Sequence, residues 1–165
     1  MPFGHPNVTA SNLTPTSGAT DAYNCLAWAV HYQDLPIWPD PFNVCSWPPD
    51  MPRIETIDSI RLFLERVGFQ RCQTTDVEAG YEKVAIYADQ HGPQHIARQL
   101  PSGSWTSKLG VAIDASHSSL SVLEDGSYGN VAMLMKRRAG TLPNLPPLFP
   151  PRPRLVSTTG SPLIR

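Results

Sequence analysis

Apolar and polar positions along this chain change their period once, near Gly68. Before that point apolar residues recur at helical spacing. Cys25, Trp28, Ala29 and Tyr32 stand at i, i+3, i+4 and i+7, which predicts a first helix from Asp21 or Asn24 to about Tyr32. With Asn24 as its cap, Cys25 is the first helical residue and its N–H is free; with Asp21 as the cap, Cys25 sits one turn inside. Ile57, Ile60, Leu64 and Val67 form the stripe of a second helix, with Thr56 placed to cap it and Gly68 to end it. Beyond Gly68 the period is close to two. Phe69 to Thr74, Lys83 to Ala88, Gln94 to Leu100, Trp105 to Leu109 and Tyr128 to Lys136 read as strands, and Pro101-Ser102-Gly103-Ser104 reads as a hairpin link. Helices followed by antiparallel strands predict an α+β fold, with N-terminal helices packed on an antiparallel sheet.

The unpatterned stretches set the expected boundaries. Residues 1–20 are rich in Thr, Ser, Asn, Pro and Gly and read as an irregular lead-in to a single domain over 21–139. Residues 140–165 hold seven of the 18 prolines, which remove backbone donors and fix φ, so they form a tail outside the sheet. Its Pro147-x-x-Pro150 spacing makes the tail a candidate protein ligand. Residues 35–53 form a proline-studded loop with Trp38 and Trp47, either pinned to the core or walling a cleft beside Cys25.

Composition narrows the chemistry. At 165 residues one domain buries enough surface to stand without staples. Cys25, Cys45 and Cys72 are odd in number and form no C-x-x-C pair, so no structural metal, disulfide framework or cofactor is expected. A net charge of -1, with no basic run longer than Lys136-Arg137-Arg138, argues against nucleic acid as a partner. The N-terminus shows no export signal, and no apolar stretch reaches the length of a membrane span. The expectation is a cytoplasmic protein without a membrane partner.

Two residues then carry the candidate chemistry. A thiol has a pKa of about 8.5, which a helix N-terminus or a neighbouring imidazolium lowers, so Cys25 is a candidate nucleophile. His95 follows Gly92-Pro93-Gln94 at the head of a strand, where a general base can be held rigidly. Asp114 and His117, in Asp114-Ala115-Ser116-His117, offer a group to orient that base or a rival to it. The plainer readings are a small buried cysteine and a satisfied strand histidine.

Tyr23-Asn24-Cys25-Leu26-Ala27-Trp28-Ala29, Trp47-Pro48, Lys83 to Ala88, His95-Ile96-Ala97-Arg98-Gln99-Leu100, Trp105-Thr106-Ser107-Lys108-Leu109-Gly110 and Tyr128-Gly129 resemble a largely uncharacterised family of small domains over roughly residues 20–138. The order of a helix cysteine and a strand histidine is similar to papain-like cysteine peptidases and NlpC/P60 amidases. That resemblance implies a papain-like fold, Cys25 as nucleophile, His95 as base and Asp114 or His117 as the third residue. It also implies Asn24, Trp28 and Trp47 at the oxyanion and substrate positions. The chain departs from papain in lacking a glutamine several residues before the cysteine. The expected activity is thiol hydrolysis of an amide in a peptide or other amide substrate: peptidase, amidase or deamidase. The rival is a non-catalytic binding module that uses the Trp38/Trp47 loop or the proline-rich tail as its contact surface.

Overall fold

The computed structural model describes residues 4–140; the proline-rich tail beyond Gly140, with its Pro147-x-x-Pro150 spacing, lies outside the described residues. The architecture is a seven-stranded sheet, antiparallel throughout. In chain order the elements are β1 (Leu13–Pro15), α1 (Cys25–Ala29), α2 (Ile57–Arg66), β2 (Gln70–Cys72), β3 (Tyr81–Asp89), β4 (Gly92–Gln99), β5 (Trp105–Lys108), β6 (Asp114–His117) and β7 (Asn130–Arg138). The strands lie in the order β1-β6-β5-β4-β3-β7-β2.

This corrects the papain-like expectation of N-terminal helices packed on a sheet. The sheet dominates, and the helices are two short pieces of five and ten residues. The reason is local. α1 stops after Ala29 because His31 turns into the left-handed region at φ 66°, with His31 N–H donating to Trp28 C=O and Tyr32 N–H to Ala27 C=O. That is a Schellman ending built on histidine instead of glycine, so the sequence offers no stop signal there. Gly68 ends α2 in the same way at φ 99°, with Phe69 N–H donating to Leu64 C=O. Two strands, β1 and β6, lie outside the five expected ones, and β1 falls inside the stretch read as irregular.

Because residues paired across antiparallel strands share a face, the register sorts every side chain. On one side α1 and α2 pack Leu26, Ile60, Phe63 and Leu64 onto Val84, Ile86, Ile96 and Met135. On the other side lie Ala85, Tyr87, Ala97, Trp105 and Ala115, closed over by Val8 and the 3-10 turn Leu120–Leu123. The segment from Gly4 to Pro15 thus runs as a strap across the second face and ends as edge strand β1 beside β6.

Candidate functional site

Asn24 caps α1: its side chain accepts from Ala27 N–H, which makes Cys25 the first helical residue. The same amide accepts from Ile37 N–H and donates to Ile37 C=O, so it staples the helix start to the 35–53 loop. With these bonds made, Asn24 is committed to structure at the position where an oxyanion donor was expected. The Cys25 sulfur is buried, and the backbone N–H groups of Ile96, Leu26 and its own residue act on it to favour the thiolate. Burial outweighs those donors and pushes the thiol up to about 11, so at neutral pH it carries its proton.

His95 is on the opposite face. It pairs with Tyr87, a residue of the second core, and its ring stacks on Tyr128 at 4.1 Å between centroids. Its Nε2 is 2.9 Å from Ser107 Oγ, and that hydroxyl is 2.8 Å from His117 Nε2. His117 Nδ1 is 2.9 Å from Ser119 C=O, which only accepts, so Nδ1 holds the proton and Nε2 accepts from Ser107. Ser107 in turn accepts from His95 Nε2–H. This is the assignment the network gives for neutral rings. Burial lowers the pKa of each, of His95 well below its ordinary value.

Asp114 returns to the helix side. Thr106, Lys108, Ser116 and Asp114 alternate with Ser107, Ala115 and His117, so they face α1. Tyr23 Oη–H donates to Asp114 Oδ2 at 2.5 Å, while Asp114 Oδ1 is buried without a partner. Lys108 Nζ donates to the carbonyls of Gly110 and Ala112 and lies 5.4 Å from the Tyr23 ring centroid. Burial first of all lowers its pKa, against the pull of Asp114, Asp21 and Cys25.

The four expected catalytic residues are therefore divided by the sheet. Cys25 and Asp114 lie on the helix side, and His95 and His117 on the strap side. Among the described residues no hydrogen bond joins the Cys25 thiol to His95. The structure does bring His95 and His117 together, through Ser107, which the sequence offers only as a weak orienter of the base. The two remaining expected residues are held by structure as well. Trp28 donates from Nε1 to Thr106 Oγ1 beneath the Arg98 guanidinium, and Trp47 is buried against Phe63 with its Nε1 on Pro52 C=O. Trp38 is partly exposed and bonded to Glu55. No group of His, Cys, Asp and Glu among the described residues has the arrangement of a metal site.

His5 is the participant that sequence reasoning passed over. It belongs to the lead-in, yet it is 1% exposed and its ring lies 4.4 Å from Tyr128, on which His95 stacks. The signal available was weak: a histidine beside Gly4 and Pro6, without periodicity.

Residues 14–136 match the model of a family described as a domain of unknown function (DUF7689). The match covers most of the chain, and the chain belongs to that family. No curated protein and no solved structure matches it, so nothing extends the likeness to papain-like enzymes. Among the described residues no helix is long and apolar enough to cross a membrane.

Proposed function

We propose that this member of the family is a protein-interaction module that uses the 35–53 loop as its contact surface. The observation that carries the reading is Phe42, 84% exposed at the tip of a loop that is otherwise tightly held. Asp40 accepts from the N–H groups of Val44 and Cys45 and from Arg53, Ile37 bridges to Ser46, and Trp47 is anchored in the core. A large apolar side chain held out on a stiff loop loses little entropy when a partner covers it. Beside it a cleft of about 440 Å³ is lined by Asn43, Trp47, Pro48, Pro49, Met51 and Arg53. Its size and lining suit an apolar anchor side chain from a protein partner. The protonated, buried Cys25 thiol and the separate engagement of His95 support a non-catalytic role.

A second reading, hydrolysis of an amide through an acyl-enzyme on Cys25, has one observation in its favour. The backbone N–H groups of Ile96 and Leu26 act to lower the pKa of the thiol, as an environment that steadies a thiolate does. In that reading a group other than His95 must take the thiol proton.

One experiment separates them. A photo-crosslinking residue placed at position 42 should capture a defined protein from the native cell, while the same residue at the isolated exposed Val111 should not. Equal capture at both positions would remove the interaction surface. Turnover of a peptide or cell-wall amide by the wild type, lost in Cys25→Ala, would establish the hydrolase instead.

A further inference from the structure

The strap side of the sheet holds three imidazoles in one buried column. His5 comes from the strap, His95 from β4 and His117 from β6; Tyr128 separates the first two and Ser107 joins the last two. All three histidines are at most 2% exposed. His5 Nδ1 has no hydrogen-bond partner, and it faces Gly126 so closely that a Cβ there would lie 2.9 Å from it. The strap is otherwise held by modest contacts. Ser127 donates to Gly4 C=O, Asn7 Nδ2 reaches Ser121 C=O and Asp125 Oδ2, Val8 is buried, and β1 pairs over three residues at the edge of the sheet.

We propose that this column is an acid-sensitive latch: gaining protons on its imidazoles releases the strap, residues 4–15, and uncovers the second face of the sheet while the helix side stays folded. The groups that face the column decide the sign. From β3 comes the Tyr87 phenol, bonded to Leu120 C=O; from the segment after the 3-10 turn come Tyr128 and the Glu124 carboxylate, the latter occupied by Val131 N–H. Asp125 is taken by Asn7 Nδ2, and from the helix side the Cys25 thiol acts on Tyr128. No carboxylate among these is bonded to an imidazole; the Leu123 and Ser119 carbonyls favour a proton on His5 and His117, but burial outweighs both, so a proton on any of the three places a cation in the core with no opposing charge. A second proton meets the first as a like charge.

Burial lowers the pKa of all three histidines below the ordinary value of about 6.5, at which they titrate once the strap is open. Above about pH 6.5 both states are neutral and acid has no effect. Below it the open state binds protons that the closed state refuses, so opening grows as pH falls, by up to about tenfold per pH unit for each histidine. The strap goes before the sheet because it is the short edge piece and brings its own imidazole with it.

The test is hydrogen exchange on the full chain from about pH 7.5 to about pH 5, corrected for the intrinsic rate, a range that brackets the free histidine pKa. Amides of the strap and of its neighbour β6 should lose protection at least tenfold between about pH 6.5 and about pH 5.5, while those of α2 and β3 keep theirs. His5→Phe keeps a ring against Tyr128 but cannot gain charge, and should make that dependence shallower by about one proton. Gly126→Ala, which alters no titratable group, should open the strap already at neutral pH. Strap protection that is constant down to about pH 5, or that fails together with α2 and β3, would overturn the latch. So would histidine ring resonances of the wild type that all titrate near the free value of about 6.5, a readout that needs no variant to fold.

Discussion

The helix side and the strap side of the sheet bury polar groups by different means. On the helix side the polar groups are held one by one, by backbone or by a single neighbour: Lys108 by two carbonyls and Asp114 Oδ2 by Tyr23, with Asp114 Oδ1 and Arg98 Nε left without a partner. Around them lies a dense apolar core of Phe63, Leu64, Ile60 and Ile96. On the strap side the groups are bonded to one another in a relay, His95 to Ser107 to His117, closed by a segment that is itself an edge. The first arrangement depends on volume and is insensitive to pH near neutrality. The second depends on every member remaining neutral and paired, because a half-satisfied buried network costs more than none.

Substitutions should expose that difference. The largest effect falls on the helix side: Phe63→Ala removes a fully buried ring between Trp47 and the sheet and should cost about 3–5 kcal/mol in denaturant unfolding. That loss should be the same at about pH 7.5 and about pH 6, because no titratable group is disturbed. Ser107→Ala, a far smaller truncation, should still cost about 2–3 kcal/mol by stranding two ring nitrogens. If Ser107→Ala proves neutral at about pH 7.5, the relay is not a structural element of the second face.

Asn24→Ala returns to the helix side on a smaller scale. It should cost about 2 kcal/mol through the lost cap, and it also frees the Ile37 backbone that the side chain holds. Chemical exchange at Ile37 should rise in the same variant. A loss confined to α1, with the 35–53 loop unchanged, would show that the staple adds nothing to the cap.

Legibility in the sequence follows the same division. α2 was readable because its signals are local: Thr56 accepts from Ser59 N–H, the stripe faces inward and Gly68 takes a positive φ. β2, β3, β4, β5 and β7 were readable from alternation, and the Pro101–Ser104 link closes with Leu100 N–H on Ser104 C=O. The end of α1 was not, since a left-handed histidine leaves no mark in composition. β1 is a three-residue edge strand that pairs over a long sequence separation, and β6 is a four-residue inner strand, so both are too short for periodicity to show.

The candidate site failed to assemble as expected for a related reason. Position along the chain put Cys25 at a helix start, which is where it lies, and His95 in a strand, which is also correct. What decides whether they meet is the parity of His95 within β4, and a shift of one residue in a strand moves a side chain to the other face. Pairing with Tyr87 sets that parity, and it turns Ile96, not His95, toward α1.

The most direct test of the separation of thiol and imidazole is the rate of alkylation of each cysteine by iodoacetamide against pH, read by peptide mass spectrometry on the folded protein. Cys25 should react more slowly than the partly exposed Cys72 at about pH 7, gain reactivity only as pH climbs toward about 11, and behave the same in His95→Gln. Modification of Cys25 ahead of Cys45 and Cys72 near about pH 6.5, abolished by His95→Gln, would show that the two residues act as a pair and would contradict the account.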